Sequence, residues 1–296
     1  MEQRVLGKSG LKVSVLGYGA MALHDPKDIS DKDAEHLLGS VLDSGVTFVD
    51  TSPDYGASEE RIGKYISHRR SEYYLASKCG CNITEDGVRL DPIHLWTRER
   101  LISNIELSLR RLGTEYIDIW QIHNASVEDV DRGDLVAVME EVKQSGKVHH
   151  VSISSELPHI ATYIERRDFA TYQIPYSALQ REHELVIGDA AAAGCGVIVR
   201  GGVAQGSAVT GRRKELLELW EKAGLDELLD EGESRSQFVL RYTISHPGMS
   251  TTIVGTRSRD HLAENLVAIE SGPLADDVYA SAKARLDDAG ESPAKA

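Results

Sequence analysis

The stretch "DKDAEHLLGSVLDSGVTFVDTS", residues 31–52, joins an amphipathic segment to a hydrophobic one. In its first part, four apolar side chains recur at helical spacing on one face: Leu37, Leu38, Val41 and Leu42. Gly45 follows them as a helix stop. In its second part, residues 47–52, β-branched and aromatic side chains predict a short buried strand. The stretch therefore predicts one helix–strand unit of an α/β protein.

The same alternation runs along the whole chain. Eight strand-like runs are present, at residues 14–20, 47–52, 73–80, 116–123, 147–154, 171–177, 196–202 and 250–256. Amphipathic runs separate them, so the sheet that they form is expected to be parallel. Eight strands are also the number that closes a (β/α)8 TIM barrel. An open nucleotide-binding sheet would instead carry G-x-G-x-x-G after its first strand, and Gly17-Tyr18-Gly19 lacks the third glycine in register.

Additional elements are predicted around the barrel. Lys8-Ser9-Gly10 is a glycine-containing turn between two apolar runs, which predicts an N-terminal β-hairpin. The run "DDVYASAKARLDD", residues 276–288, predicts an extra C-terminal helix. Residues 81–96, after the third strand, are expected to form a long loop on the carboxyl-terminal face, where such barrels build their active sites. We expect residues 1–296 to form a single barrel domain.

The composition argues against several classes of protein. A net charge of −14 disfavours nucleic acid or an anionic membrane as the main partner. The sequence contains no apolar run of membrane-spanning length and no apolar signal core, so a cytoplasmic protein that acts on a small molecule is expected. Three cysteines give no disulfide framework. The spacing of Cys79-Gly-Cys81 is not that of a zinc site, so no metal is expected.

Four ionisable residues stand at or just after the ends of consecutive predicted strands: Asp50, Tyr55, Lys78 and His123. Each alone has an ordinary explanation, such as a helix cap, a surface lysine or a core histidine. Together on one face of a barrel they suit acid–base chemistry on a carbonyl group. Lys78 would pair with Asp50 and lower the pKa of Tyr55, which becomes a proton donor. His123 would donate a hydrogen bond to the substrate oxygen.

These residues lie in motifs that resemble those of the aldo-keto reductases. The segment "FVDTSPDYGASEERIGKYI" is similar to the family signature around the catalytic Asp and Tyr, "LASKCG" to the strand of the catalytic Lys, and "YIDIWQIH" to that of the catalytic His. Further similarity covers "KQSGKVHHVSISS", "YQIPYSALQRE" and "TTIVGTRSRDHLAENLVA". The resemblance implies reduction of an aldehyde or ketone by hydride from NADPH, with Tyr55 as the general acid.

The resemblance also implies a set of cofactor-binding residues. Ser154, Ser155 and Gln173 occupy the positions that hold the nicotinamide carboxamide, and Arg200 occupies the position that stacks on the ring. The positions that hold the adenosine 2′-phosphate and the adenine are Gly255, Thr256, Arg257, His261, Glu264 and Asn265. Arginines and a histidine beside a helix N-terminus suit an anion, so NADP is the expected cofactor, with NAD as the alternative.

Other readings stay open at the level of the sequence. Met21 and Trp96 are candidates for contact with the substrate, whose identity the sequence does not fix. One alternative function is an NAD-dependent alcohol dehydrogenase that works in the oxidative direction. Another is a regulatory subunit of a membrane channel that senses the cofactor and turns over little. The oligomeric state is open as well.

Overall fold

The computed structural model describes residues 1–206 and 213–294. In these ranges there are twelve strands: β1 (Gln3–Val5), β2 (Lys12–Ser14), β3 (Leu16–Gly19), β4 (Phe48–Asp50), β5 (Tyr74–Cys79), β6 (Cys81–Ile83), β7 (Arg89–His94), β8 (Ile117–His123), β9 (Val148–Ser154), β10 (Thr171–Pro175), β11 (Gly196–Arg200) and β12 (Thr251–Val254). The strands β3, β4, β5, β8, β9, β10, β11 and β12 close into a parallel barrel in that order. The predicted (β/α)8 barrel and its eight strands are confirmed.

Helices surround the barrel between successive strands. The described ranges hold eleven α-helices: α1 (Asp31–Asp43), α2 (Ser58–Ile66), α3 (Arg98–Leu112), α4 (Val127–Arg132), α5 (Leu135–Gln144), α6 (His159–Arg166), α7 (Glu184–Ala192), α8 (Lys214–Lys222), α9 (Arg235–Ile244), α10 (Arg259–Ser271) and α11 (Asp276–Ala289). The last of these is the extra C-terminal helix that the sequence predicted. No helix in the described part of the chain is long and apolar enough to span a membrane.

Local sequence signals explain where these helices begin and end. Helix α1 buries the four apolar residues predicted for its inner face, and Gly45 follows it with a φ of +83°. Helix α3 begins after Thr97, whose side chain accepts a hydrogen bond from the Arg100 amide. It ends at Gly113, which adopts the left-handed conformation that glycine tolerates best. Capping and amphipathic spacing therefore place α1 and α3 against the barrel as predicted.

The predicted N-terminal hairpin closes the amino-terminal end of the barrel. Strands β1 and β2 pair antiparallel, and Leu6 and Val13 are fully buried. Both belong to a small apolar cluster with residues from four barrel strands: Phe48, Ala76, Ile119 and Ile198. The approach to β11 is so close that a Cβ on Gly7 would lie 2.0 Å from the backbone nitrogen of Gly196. Among the described residues, the barrel interior is therefore open toward its carboxyl-terminal end.

The segment after β5 differs from the loop that the sequence predicted. Strands β6 and β7 form an antiparallel hairpin in which Cys81 pairs with His94 and Ile83 with Arg89. The sequence gave no strand signal here, because the side chains of β7 are exposed and Pro92 interrupts the run. The proline is tolerated because β7 has only one partner strand and is therefore an edge strand. The hairpin holds Cys81 and His94 side by side above the barrel.

Candidate active site

A buried ion pair lies at the carboxyl-terminal end of the barrel. Lys78 Nζ is 2.6 Å from Asp50 Oδ2 and 2.8 Å from the carbonyl oxygen of Thr51. Only 1% of the Lys78 side chain and 2% of the Asp50 side chain are exposed. Burial alone would lower the pKa of Lys78, but the Asp50 carboxylate outweighs it and the pKa is raised. The ammonium group is therefore charged at neutral pH, as the sequence predicted.

The second carboxylate oxygen of Asp50 accepts two amide hydrogen bonds. The Nε2 atoms of Gln121 and Gln173 each lie 2.8 Å from Asp50 Oδ1. Gln173 Oε1 in turn accepts a hydrogen bond of 3.0 Å from Ser154 Oγ. A hydrogen-bonded chain thus connects the predicted catalytic carboxylate with two predicted cofactor residues. Gln121 was not among the predicted residues, although its two-residue spacing from His123 puts both side chains on the inner face of β8.

Tyr55 stands above the ion pair. It follows β4 in a turn in which its backbone amide bonds to the carbonyl oxygen of Ser52 at 3.0 Å. Lys78 Nζ lies 5.0 Å from the centroid of its ring. Burial raises the pKa of Tyr55 above its ordinary value, although Lys78 acts in the opposite direction. Lys78 thus acts on the pKa of Tyr55 in the predicted direction. The expected net lowering of that pKa is wrong, because the loss of hydration on burial is the larger effect.

His123, at the end of β8, completes the group of four. Its ring lies 6.2 Å from that of Tyr55, in an edge-to-face arrangement. Burial and then the charge of Lys78 lower the pKa of His123 to about 3. The imidazole is therefore neutral at neutral pH and has one N–H to donate. The four predicted catalytic residues are thus brought together, and their geometry suits proton donation to a carbonyl oxygen.

Trp96 lines one side of this site, and Met21 lies apart from the buried residues. The Trp96 ring stacks on His94 with centroids 5.0 Å apart, and the His94 ring contacts His123 at 4.9 Å. A Cβ on Gly80 would lie 1.9 Å from Trp96 Cζ3, so glycine is needed for the indole to pack there. Met21 follows β3 in a short 3-10 helix and is 55% exposed.

The predicted carboxamide-binding residues lie on the adjacent strands. Ser154 ends β9 and Ser155 follows it, Gln173 lies in β10, and Arg200 ends β11. The first three are buried, whereas Arg200 is partly exposed. Arg200 Nη2 donates to Glu156 Oε1 at 2.6 Å, while its buried Nε has no hydrogen-bond partner in the described part of the chain. A buried donor without a partner at this end of the barrel fits a polar ligand.

The residues predicted to hold the adenosine end follow β12. Gly255 approaches β3 so closely that a Cβ there would lie 2.8 Å from the Gly19 carbonyl oxygen. Thr256 is buried, and Arg257 forms an ion pair with Asp28 from the segment after β3. His261 and Glu264 are exposed on α10, and Asn265 is partly buried. The structure therefore places this set beside Arg200 on the neighbouring strand, with its basic side chains at the surface.

Known proteins resemble this chain in sequence and in overall structure. The sequence model of the aldo/keto reductase family matches residues 15–287. An uncharacterised oxidoreductase of Bacillus subtilis is 27% identical, covering 94% of both chains, and L-galactose dehydrogenase of Arabidopsis thaliana is 27% identical, covering 91% of this chain and 88% of the relative. The holo form of an aldo-keto reductase from Bacillus halodurans superposes with a TM-score of 0.81 at 28% identity, covering 96% of both chains.

Proposed function

The chain belongs to the aldo/keto reductase family and is an NAD(P)H-dependent oxidoreductase, and on that premise we propose that it reduces an aldehyde or ketone to an alcohol with NADPH. Tyr55 is the proton donor in this proposal. The observation that carries it is the buried Lys78–Asp50 pair at 2.6 Å, placed under the Tyr55 ring. A buried ammonium beside a phenol is the arrangement that stabilises a phenolate after proton transfer.

The reaction moves one hydride and one proton. The nicotinamide cofactor supplies the hydride to the carbonyl carbon when it is bound. Tyr55 gives its phenolic proton to the carbonyl oxygen, so the oxygen becomes a hydroxyl group and Tyr55 becomes a phenolate. Lys78 stabilises that phenolate, and Asp50 keeps Lys78 charged and in place. The raised pKa of Tyr55 keeps its proton on the phenol at neutral pH before substrate binds.

His123 orients the substrate in this proposal. A neutral imidazole has one N–H, which can donate to the carbonyl oxygen without a net charge in the pocket. Its pKa of about 3 keeps it neutral over the range in which the protein would work. His123 is thereby a hydrogen-bond donor and Tyr55 is the acid, so each has one role.

The cofactor would be held along the same end of the barrel. Ser154 and Ser155 offer hydroxyl groups and Gln173 a side-chain amide to a carboxamide, and Arg200 has a buried Nε without a partner among the described residues. Arg257, Arg259 and His261 lie at the N-terminal end of α10, where a phosphate is favoured by charge. That charge pattern supports NADPH over NADH. Opening the Arg257–Asp28 ion pair would free Arg257 for the 2′-phosphate.

The test is consumption of reduced cofactor by the purified protein with a panel of aldehydes and ketones, using NADPH and NADH in parallel. We expect turnover with NADPH and a lower kcat/KM with NADH. Tight NADPH binding with no turnover on any carbonyl would contradict the proposal and favour the channel-subunit alternative. Oxidation of alcohols with NAD at a higher kcat/KM would favour the dehydrogenase alternative, to which the similarity with L-galactose dehydrogenase lends weight.

A further inference from the structure

Four side chains with metal-binding atoms converge beside the active site, and His123 is one of them. They are Asp54, Cys81, His94 and His123, and one ligand atom from each lies within 4.8 Å of all the others. They come from three separate elements: the turn after β4, the β6–β7 hairpin and the end of β8. Of these four residues, only His123 has a role in the proposed acid–base mechanism. The presence of the other three beside it needs a separate explanation.

The distances in this cluster are close to those of a tetrahedral site. Cys81 Sγ lies 3.5 Å from His123 Nδ1, and Asp54 Oδ1 lies 3.8 Å from the same nitrogen. Bond lengths of about 2.3 Å to sulfur and about 2.0 Å to nitrogen or oxygen place tetrahedral ligand atoms about 3.3–3.6 Å apart. The Cys81–His123 edge already has this length. A separation at the upper bound of 4.8 Å must shorten by about 1.2–1.5 Å, which side-chain rotation can supply.

An unpaired buried nitrogen on His94 is a second, independent observation that points to a ligand. Its Nε2 atom is buried and has no hydrogen-bond partner among the described residues. Buried polar atoms are normally satisfied, so an unpaired nitrogen on an imidazole that belongs to this cluster suggests that a ligand binds there. The β6–β7 pairing sets Cys81 directly opposite His94. The hairpin thus presents two ligands from a rigid frame.

The charge balance of the cluster suits a divalent ion. One thiolate and one carboxylate neutralise a 2+ charge, and two neutral imidazoles complete the set. A thiol that coordinates a divalent metal gives up its proton on binding, which supplies the thiolate of this set. Asp54 pairs through Oδ2 with Arg89, at 3.1 Å, and its Oδ1 accepts a hydrogen bond from Ser52 Oγ, at 2.5 Å, so one lone pair of Oδ1 is left for coordination. Sulfur, nitrogen and oxygen donors together favour zinc(II) over magnesium or calcium.

The geometry points to a zinc(II) site formed by Asp54, Cys81, His94 and His123. The one-residue spacing of Cys79 and Cys81 gave no reason to expect it, because the other three ligands come from distant parts of the sequence and Cys79 is not a ligand. A metal on His123 Nδ1 leaves the imidazole proton on Nε2, which fixes the tautomer of that ring.

Metal titration of the full-length protein, stripped with a chelator beforehand, tests this site. We expect one equivalent of zinc to compete with a chromophoric chelator, and cobalt(II) to give the charge-transfer band of a thiolate ligand together with tetrahedral d–d bands. Cys81→Ser should abolish the charge-transfer band, and His94→Gln should weaken zinc binding by about tenfold or more. The matched controls are Cys79→Ser and Cys195→Ser, which change buried free cysteines outside the cluster and should leave the spectrum intact.

Two results of these titrations would contradict the zinc site. Cobalt binding without a thiolate band, or the same zinc affinity in wild type and His94→Gln, would overturn the site. Thermal unfolding of each variant identifies any that fails to fold, and the cobalt spectrum of the wild type decides the question without a variant. None of these readouts uses turnover, so the result is independent of whether the proposed reductase activity is correct.

Discussion

Lys78 Nζ lies 2.6 Å from Asp50 Oδ2, and neither side chain is more than 2% exposed. Removal of one partner from such a pair leaves a buried charge without compensation, which costs about 3–5 kcal/mol. We therefore expect Lys78→Met to lower the free energy of unfolding by that amount and to abolish turnover, as measured by denaturant titration and by NADPH consumption. Lys64→Met is the control, because Lys64 forms an exposed ion pair and its loss should change stability little. Equal effects of the two substitutions would contradict the view that burial makes this pair critical.

Tyr55→Phe removes the proposed proton donor and keeps the ring. We expect kcat to fall by about 10²–10⁴-fold, the range for loss of general acid catalysis, while the Kd for NADPH stays near the wild-type value. Single-turnover kinetics and fluorescence titration of NADPH measure the two quantities. Tyr116→Phe, at the opposite end of the barrel, is the matched control and should change neither. Wild-type kcat in Tyr55→Phe would rule out Tyr55 as the acid.

Gln121 and Gln173 make the same bond to Asp50 Oδ1 and differ in their expected relation to the cofactor. Each bond is to a charged group, so we expect Gln121→Leu and Gln173→Leu each to destabilise the protein by about 1.5–3 kcal/mol. Only Gln173→Leu should weaken NADPH binding, because Gln173 also accepts from Ser154 and is the proposed carboxamide ligand. Calorimetry of NADPH binding to both variants checks this difference. An equal loss of affinity in the two would show that the network, and not direct contact, sets cofactor binding.

Glu59 makes stability depend on pH. It is fully buried, and burial raises its pKa from an ordinary 4.5 to about 7. Between these values the unfolded chain has released the proton while the folded chain retains it, so stability falls as pH rises through this window, by on the order of 3 kcal/mol in total. Glu59→Gln, which can still accept from Ser77, should raise Tm relative to wild type at pH 8 and change it little at pH 4. The exposed neighbour Glu60, changed to Gln, should show no such dependence, and the same response in both would argue against burial as the cause.

Alanine substitutions at Gly80 and Gly87 distinguish the stability cost of backbone strain from that of a steric clash. Both have a φ near +84°, so alanine at either position should cost about 1–2 kcal/mol from the left-handed conformation. At Gly80 the added Cβ would also lie 1.9 Å from Trp96, whereas at Gly87 it would meet the flexible end of Arg111 at 3.1 Å. We expect Gly80→Ala to be clearly less stable than Gly87→Ala and to shift the KM for the carbonyl substrate. Equal stability and equal KM would mean that the Trp96 contact has no consequence.

The sequence predicted the barrel because its signals are local. Helical spacing, the Thr97 cap and the glycine stops each act within a few residues, and α1 and α3 formed where those signals placed them. The four residues at the strand ends were found for a related reason. Parallel strands bring their carboxyl ends to one face of a barrel, so position in the sequence is enough to group them.

The features that the sequence did not predict depend on register and burial. The bonds from Gln121 and Gln173 to Asp50 arise because β4, β8 and β10 face the same interior. The proximity of Cys81 and His94 requires a hairpin whose second strand contains Pro92. The raised pKa of Tyr55 reflects loss of hydration, which cannot be judged until the surrounding side chains are placed.

The hairpin closes the amino-terminal end of the barrel, so within the described ranges the interior is reached through a single opening, called the mouth, at the carboxyl-terminal end. Leu6 and Val13 fill the amino-terminal end, so the part of the chain that the structure describes leaves no passage through the barrel. Whatever enters must therefore leave by the route it came in, and two ligands that share the mouth must depart in the reverse order of their depth. For an oxidoreductase with a cofactor and a substrate, traffic at a single opening then sets an upper limit on the rate, however fast the chemistry at the bottom.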